Sequence, residues 1–467
     1  MISIPLSNAA ASMDERITTL RDQKNIVVTI YNGNLALIKD SRSVMLNQAL
    51  NKLAWREVSA QIRPETVLLR NLTHSSGFRL LEQNFNFELL TPQKLLEKYL
   101  GKEVTVIRTN PATGSETSEA ATVLSTNEGT ILKFKDRIES GIPGRIIFSG
   151  VPENLRDRPT LLILLTNPSH GKHDLELSYL TTGLSWRTDY VAALNEDDNQ
   201  IDLSGLVTLT NQSGIDYHHA KLQLVAGDVH QTHPEHRIAR KMMAMVSEVA
   251  DTAQMKEESL FEYHLYTLQH PTTLTENQTK QVALMSANHL PISKEFILQG
   301  ADYYYTSKYD TISQKLKAGV FINFVNQGEG LGIPLPKGII RVYKKDTQGN
   351  SQFIGEDQIE HTPQNERIRL KLGNTFDLTA DKIQTDFQQI AGAPHHASVF
   401  ETAYQIILRN TKKEAVTVQV REPIPGDWTM LSESSPHTKL AASMVEWQIA
   451  VPAGGEATLA YRVRVKY

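Results

Sequence analysis

Histidine is the residue type whose clustering in this chain comes nearest to a chemical site. His218, His219, Asp228, His230, His233 and His236 fall in one short stretch, and a neutral imidazole is a common ligand for zinc, copper or nickel. The spacing His230-x-x-His233-x-x-His236 is neither an i,i+4 helical pair nor a zinc signature, and Pro234 argues against a helix that would gather the rings. The segment reads first as an exposed loop of titrating histidines. Its second reading is a divalent transition-metal site at His230, His233 and His236. His395-His396, after Pro394, reads as a loop in the same way.

Other chemistry finds no motif. Gly328-Glu-Gly-Leu-Gly332 runs into Ile333-Pro-Leu-Pro-Lys-Gly338 and a strand, not into a helix whose N-terminus would hold a phosphate, so it reads as a turn. There is no nucleophile elbow, His-Glu-x-x-His, phosphate-binding Walker loop or EF-hand loop. Asn195-Glu-Asp-Asp-Asn199 has the acidity of a calcium site without its glycine and distal glutamate, and reads as a hairpin tip. No catalytic residue and no bound cofactor are assigned. Among the aromatics, Trp186 and Tyr190 share one face of a strand, which reads as core packing first and as a ligand or protein contact second. Tyr303 and Tyr305, read as strand residues, share a face that suits either a sheet interior or a recognition patch.

The elements that would position these residues are mostly strands. Leu459, Tyr461, Val463, Val465 and Tyr467 alternate with Thr458, Ala460, Arg462, Arg464 and Lys466, which puts one apolar stripe on a sheet face. The same alternation recurs at Leu175–Tyr179, Ile201–Leu203, Val207–Leu209, Ile368–Leu372 and Val416–Val420, with Gly, Asn, Pro or Asp between the runs. Ile26–Tyr31 and Leu35–Ile38 flank Asn32-Gly33, a dipeptide that supplies the positive φ of a tight hairpin. Such a pattern predicts an all-β, multidomain chain of antiparallel sandwiches, immunoglobulin- or fibronectin-like.

Composition agrees. Hydrophobic residues at 40% and charged residues at 21% are those of a folding globular chain. A net charge of −4 gives no positive field for nucleic acid, and no apolar run reaches the length of a membrane span. Zero cysteines exclude disulfides and thiolate chemistry, and suit an oxidising compartment. Ala9-Ala10-Ala11 looks like the region around a signal-peptidase site.

The expected organisation is a terminal segment or signal remnant over 1–23, an N-terminal β domain over 24–90, and a helix-plus-barrel unit over 91–150. In that unit the helix Pro92–Leu100, closed by Gly101, precedes short strands that could curl into an SH3-like barrel. One part of a sandwich follows over 151–228. A mobile, partly helical linker is expected over 229–260, rich in Met, Glu, Lys and Ala without a clean apolar stripe. The remainder, 261–467, is expected to hold the second part of the sandwich and more than one such layer pair.

Three segments in order carry a family resemblance: Ser185-Trp-Arg-Thr-Asp-Tyr190 within its strand, Leu206–Gly214 ending Asn211-Gln-Ser-Gly, and Ala220–Asp228 ending Gly227-Asp. They resemble the bacterial domain of unknown function 4139, from about Thr160 to Tyr467. Gly332–Tyr343 and Glu422-Pro-Ile-Pro-Gly-Asp-Trp428 look like it too. Some relatives are labelled mucoidy inhibitor A, which implies a link to the cell envelope or exopolysaccharide. They typically carry a coiled coil ahead of the shared domain, whereas here the 91–150 unit stands in that place. The resemblance carries over no catalytic residues. It implies an exported, periplasmic or cell-surface protein that binds or scaffolds an envelope protein or polysaccharide. The alternatives are a metal-dependent enzyme or metal sensor using the His218–His236 region, and a cytoplasmic scaffold.

Overall fold

The computed structural model describes residues 14–86, 90–141, 144–152, 155–227, 229–230, 255–309, 313–390 and 398–467. Among them the only α-helix is Pro92–Lys98, joined by three short 3-10 turns; every other regular element is a strand. The chain is all-β. It divides into two compact units, one from Met1–Trp186, Leu209–Glu235 and Leu265–Lys280, the other from Arg187–Thr208, His236–His264 and Gln281–Tyr467.

In the first unit, Gln23–Tyr31 and Leu35–Leu46 pair antiparallel with Tyr31 opposite Leu35. The hairpin turns differently from the Asn-Gly expectation. The loop has three residues, and the positive φ, 51°, falls at Asn34 while Gly33 keeps a negative one. A turn followed by one left-handed residue is the usual geometry of three-residue hairpin loops, and Asn tolerates it. Leu35–Leu46 also pairs with Gly171–Thr181, and Gln23–Tyr31 pairs parallel with Tyr217–Ala226.

The 91–150 region forms its own layer. Thr91 caps the helix by accepting from the Lys94 amide at 3.1 Å, and Pro92 occupies the first turn, where no amide partner is needed. Five strands follow in the ladder order Ile138–Ser140, Ile131–Lys133, Glu116–Ser125, Glu103–Thr109, Arg145–Ile147. Leu96 and Tyr99 close this sheet's core against Val104, Val106, Val123 and Leu132.

Most of the expected 229–260 linker lies outside the described residues. Its last six, Met255–Leu260, are not helical but form a strand hairpinned with Tyr263–Leu268, and Met255 is buried.

Most of a five-stranded sheet falls in the second unit, in the order Gln278–Pro291, Gln200–Asn211, Leu184–Leu194, Gly338–Lys345, Ser351–Ile359. The acidic run Asn195–Asn199 is the hairpin tip between two of these strands, where Asn195 Oδ1 accepts from the amides of Asn199 and Gln200. Asp198 there pairs with Lys294 at 2.8 Å and also with Lys344.

A nine-stranded sheet completes the unit. Its order is Asp427–Glu433, Glu456–Lys466, Val399–Asn410, Arg367–Ile390, Ser313–Val325, Ser293–Gln299, Val416–Pro423, Met444–Val451, Thr438–Ala441. It folds over one core, so that Trp447, from the second-last strand, stacks on Tyr461, from the second, at 4.7 Å between ring centroids. Leu459, Tyr461, Val463 and Val465 all line that core, as their alternation requires.

Candidate functional site

Two features of the nine-stranded sheet stand out, one enclosed and one open. The enclosed feature grows from two alternating stripes. Leu378, Ala380 and Lys382 follow one another on the inner face of Arg367–Ile390, and Val416, Val418, Val420 and Glu422 do so on Val416–Pro423. Each stripe thus delivers a charge into the core. Lys382 and Glu422 side chains are 1% and 2% exposed, with Nζ and Oε2 2.7 Å apart.

Tyrosines complete the surround. Tyr305 donates to Glu422 Oε2 at 3.0 Å, its hydroxyl stands 2.9 Å from that of Tyr461, and Lys382 also donates to the Tyr461 hydroxyl at 3.3 Å. The ammonium lies 4.3 Å from the Tyr304 ring centroid and 4.6 Å from that of Tyr404, within cation–π range. Burial lowers the Lys382 pKa, opposed by the Glu422 charge. Burial first, and the Glu422 charge second, push the Tyr305 and Tyr461 phenols well above their ordinary range. Glycine is required beside the carboxylate, since a Cβ on Gly300 would lie 2.2 Å from Glu422 Oε2.

The open feature is the mouth of the same folded sheet. Inner-face residues run along Val399–Asn410 as Leu408, Ile406, Tyr404, Thr402 and Phe400, and the last of these emerges half-buried. Phe400 stacks on Phe387 at 5.6 Å, and the Tyr467 ring meets it edge-on at 5.9 Å. Burial and, after it, the nearby Asp302 carboxylate raise the Tyr467 phenol above its usual value. Asp302 opens the 3-10 turn Asp302–Tyr305, and the next residue, Tyr303, meets the rings of Tyr304 and Tyr309 edge-on at 4.7 and 6.2 Å. The loop is pinned to the sheet because Gln384 accepts from the Tyr309 amide at 2.6 Å and donates to the Ser307 carbonyl at 3.1 Å. Tyr404 fastens it from below by donating to the Tyr304 carbonyl at 2.6 Å.

The aromatics singled out in the sequence separate accordingly. Tyr303 and Tyr305 do not share a strand face: in a 3-10 turn, with about three residues per turn, Tyr303 points outward, 55% exposed, while Tyr304 and Tyr305 point into the core. Trp186 is buried, and its indole N–H has no acceptor among the described residues. Tyr190 is fully buried and donates to the Pro336 carbonyl at 2.8 Å; burial raises its pKa. Tyr303 is the member of the set open to a ligand.

His218, His219 and His230 are exposed, and Asp228, His233 and His236 lie outside the described residues, as do His395 and His396. Among the described residues no group of three or more His, Cys, Asp or Glu is placed to hold a metal ion. The His230, His233 and His236 reading is tested by adding excess zinc or copper at neutral pH: an unchanged melting temperature leaves the segment a loop of titrating histidines. A rise that disappears when His230, His233 and His236 are replaced together would establish a metal loop.

Lys382, Glu422 and the mouth residues Phe387, Phe400 and Tyr467 were not separated from the background by sequence motifs. The family model for the domain of unknown function DUF4139 matches residues 175–467. The chain belongs to this family. The DUF4139 match begins at Leu175 rather than near Thr160, and it contains both the enclosed cluster and the aromatic mouth. No curated protein matches the chain. Among the described residues no helix is long and apolar enough to cross a membrane.

Proposed function

We propose that this DUF4139 protein is an exported cell-envelope component that binds or scaffolds an envelope polysaccharide or protein without catalysing a reaction. The observation that carries the reading is the aromatic mouth of the nine-stranded sheet. Tyr467, 39% exposed, meets the half-buried Phe400, which stacks on Phe387, and Tyr303, 55% exposed, follows Asp302, whose carboxylate acts on Tyr467. Exposed Thr306, Ser307 and Lys308 border them, so flat rings stand next to hydroxyl, amine and carboxylate groups. That is the chemistry by which a sugar face stacks and its hydroxyls are hydrogen-bonded, and also that of a protein anchor pocket. Export is supported by the absence of cysteine and by the Ala9-Ala10-Ala11 run.

Co-sedimentation of the purified chain with washed envelope material tests the binding. Retention on envelope that has been digested with protease assigns the partner as polysaccharide, and retention lost on digestion assigns it as protein. No retention on either preparation overturns the proposal. Fractionation of cells carrying the tagged full-length chain tests export, and recovery in the cytoplasmic fraction alone contradicts it.

A further inference from the structure

We propose that Lys382 and Glu422 form an intramolecular amide bond, a covalent staple through the core of the second unit's nine-stranded sheet. The geometry supplies what such a condensation needs. The amine nitrogen and a carboxyl oxygen are in contact at 2.7 Å, both side chains are almost wholly enclosed, and the ladder order places two strands between their own strands. The bond would span the core rather than join adjacent strands.

An enclosed ion pair is also a reactive one. Taking two charges out of water is costly, so transfer of a proton from Nζ to the carboxylate, giving a neutral amine beside a neutral acid, is made easier than in solution. Groups held in contact react as though present at roughly 10⁵–10⁸ M. The amine lone pair forms the new N–C bond at Cδ of Glu422. Negative charge gathers on Oε1, while Oε2, protonated by Nζ and held by the Tyr305 hydroxyl, is the oxygen that departs. The second amine proton passes to the departing hydroxyl through the Tyr461 and Tyr305 hydroxyls, which are 2.9 Å apart. The C–O bond breaks and one water leaves. No oxidant, reductant or cofactor enters the balance. In a chain without cysteine, this is a covalent cross-link that needs no thiol.

Intact-mass measurement of the denatured full-length chain tests the proposal. The expected mass is that of the sequence less one water, and proteolysis should yield a branched peptide joining Lys382 to Glu422. Lys382→Arg should restore the full sequence mass. Glu422→Gln offers a second readout, because amide formation there releases ammonia rather than water. The parent's own mass decides even where a variant fails to fold. A parent chain at full sequence mass, with Lys382 and Glu422 recovered in separate peptides, overturns the inference.

Discussion

Replacing Lys382 with methionine should destabilise the second unit by about 3–5 kcal/mol, because the change leaves the enclosed Glu422 carboxyl without the amine it meets in the parent. The partner is 2% exposed, and the hydrogen bond from Tyr305 does not replace the lost contact with the amine. Adding Glu422→Leu to Lys382→Met removes the orphaned carboxylate, so the double variant should be more stable than the single one. Denaturant unfolding followed by Trp447 emission reports this unit, since Trp447 is fully buried and stacked on Tyr461 in the same core. A single variant within about 0.5 kcal/mol of the parent would show that the pair carries no structural weight.

Trp186→Ala should cost roughly 3–5 kcal/mol, since it removes a large buried ring and leaves a cavity. The ring is 6% exposed in the strand Leu184–Leu194. Its N–H lacks an acceptor, so Trp186→Phe, which keeps much of the volume and discards an unsatisfied donor, should cost much less than the alanine change. Urea midpoints of the two variants check the order. Equal stability of Trp186→Ala and the parent would mean that the indole packs against little and would return this strand face to the search for ligands.

The strands were legible wherever alternation is governed by burial. The stripe Leu459-Tyr461-Val463-Val465 needed no tertiary information, because a strand with one wet face must alternate. Tyr467 continues the alternation yet follows the strand Glu456–Lys466 and is 39% exposed, and an alternating pattern does not say where a strand stops. Lys382 and Glu422 extend two such stripes by one step, and stepping by two from Ala380 and Val420 would have pointed both inward. Charged residues there read as the wet end of a strand, because a single position does not show that an opposite charge arrives from another strand.

Turn geometry was harder still. Asn32-Gly33 gave way to a loop in which Asn34 takes the left-handed conformation, a choice made by the register of the flanking strands. Tyr303, Tyr304 and Tyr305 have the β propensity of aromatic residues but form a 3-10 turn, held by the Gln384 and Tyr404 contacts from distant strands. The histidine cluster is conspicuous in sequence; of its members His218, His219 and His230 are exposed and the rest lie outside the described residues.

The aromatic mouth as a contact surface is tested most directly by one binding comparison. Tyr303 and Tyr467 are exposed enough to be replaced without opening the core. The double variant Tyr303→Ala/Tyr467→Ala should keep the parent's melting temperature. Its apparent affinity for washed envelope material should fall at least about tenfold, the loss expected when exposed aromatic anchors are truncated. A double variant that sediments with envelope as well as the parent does would contradict the assignment of this surface.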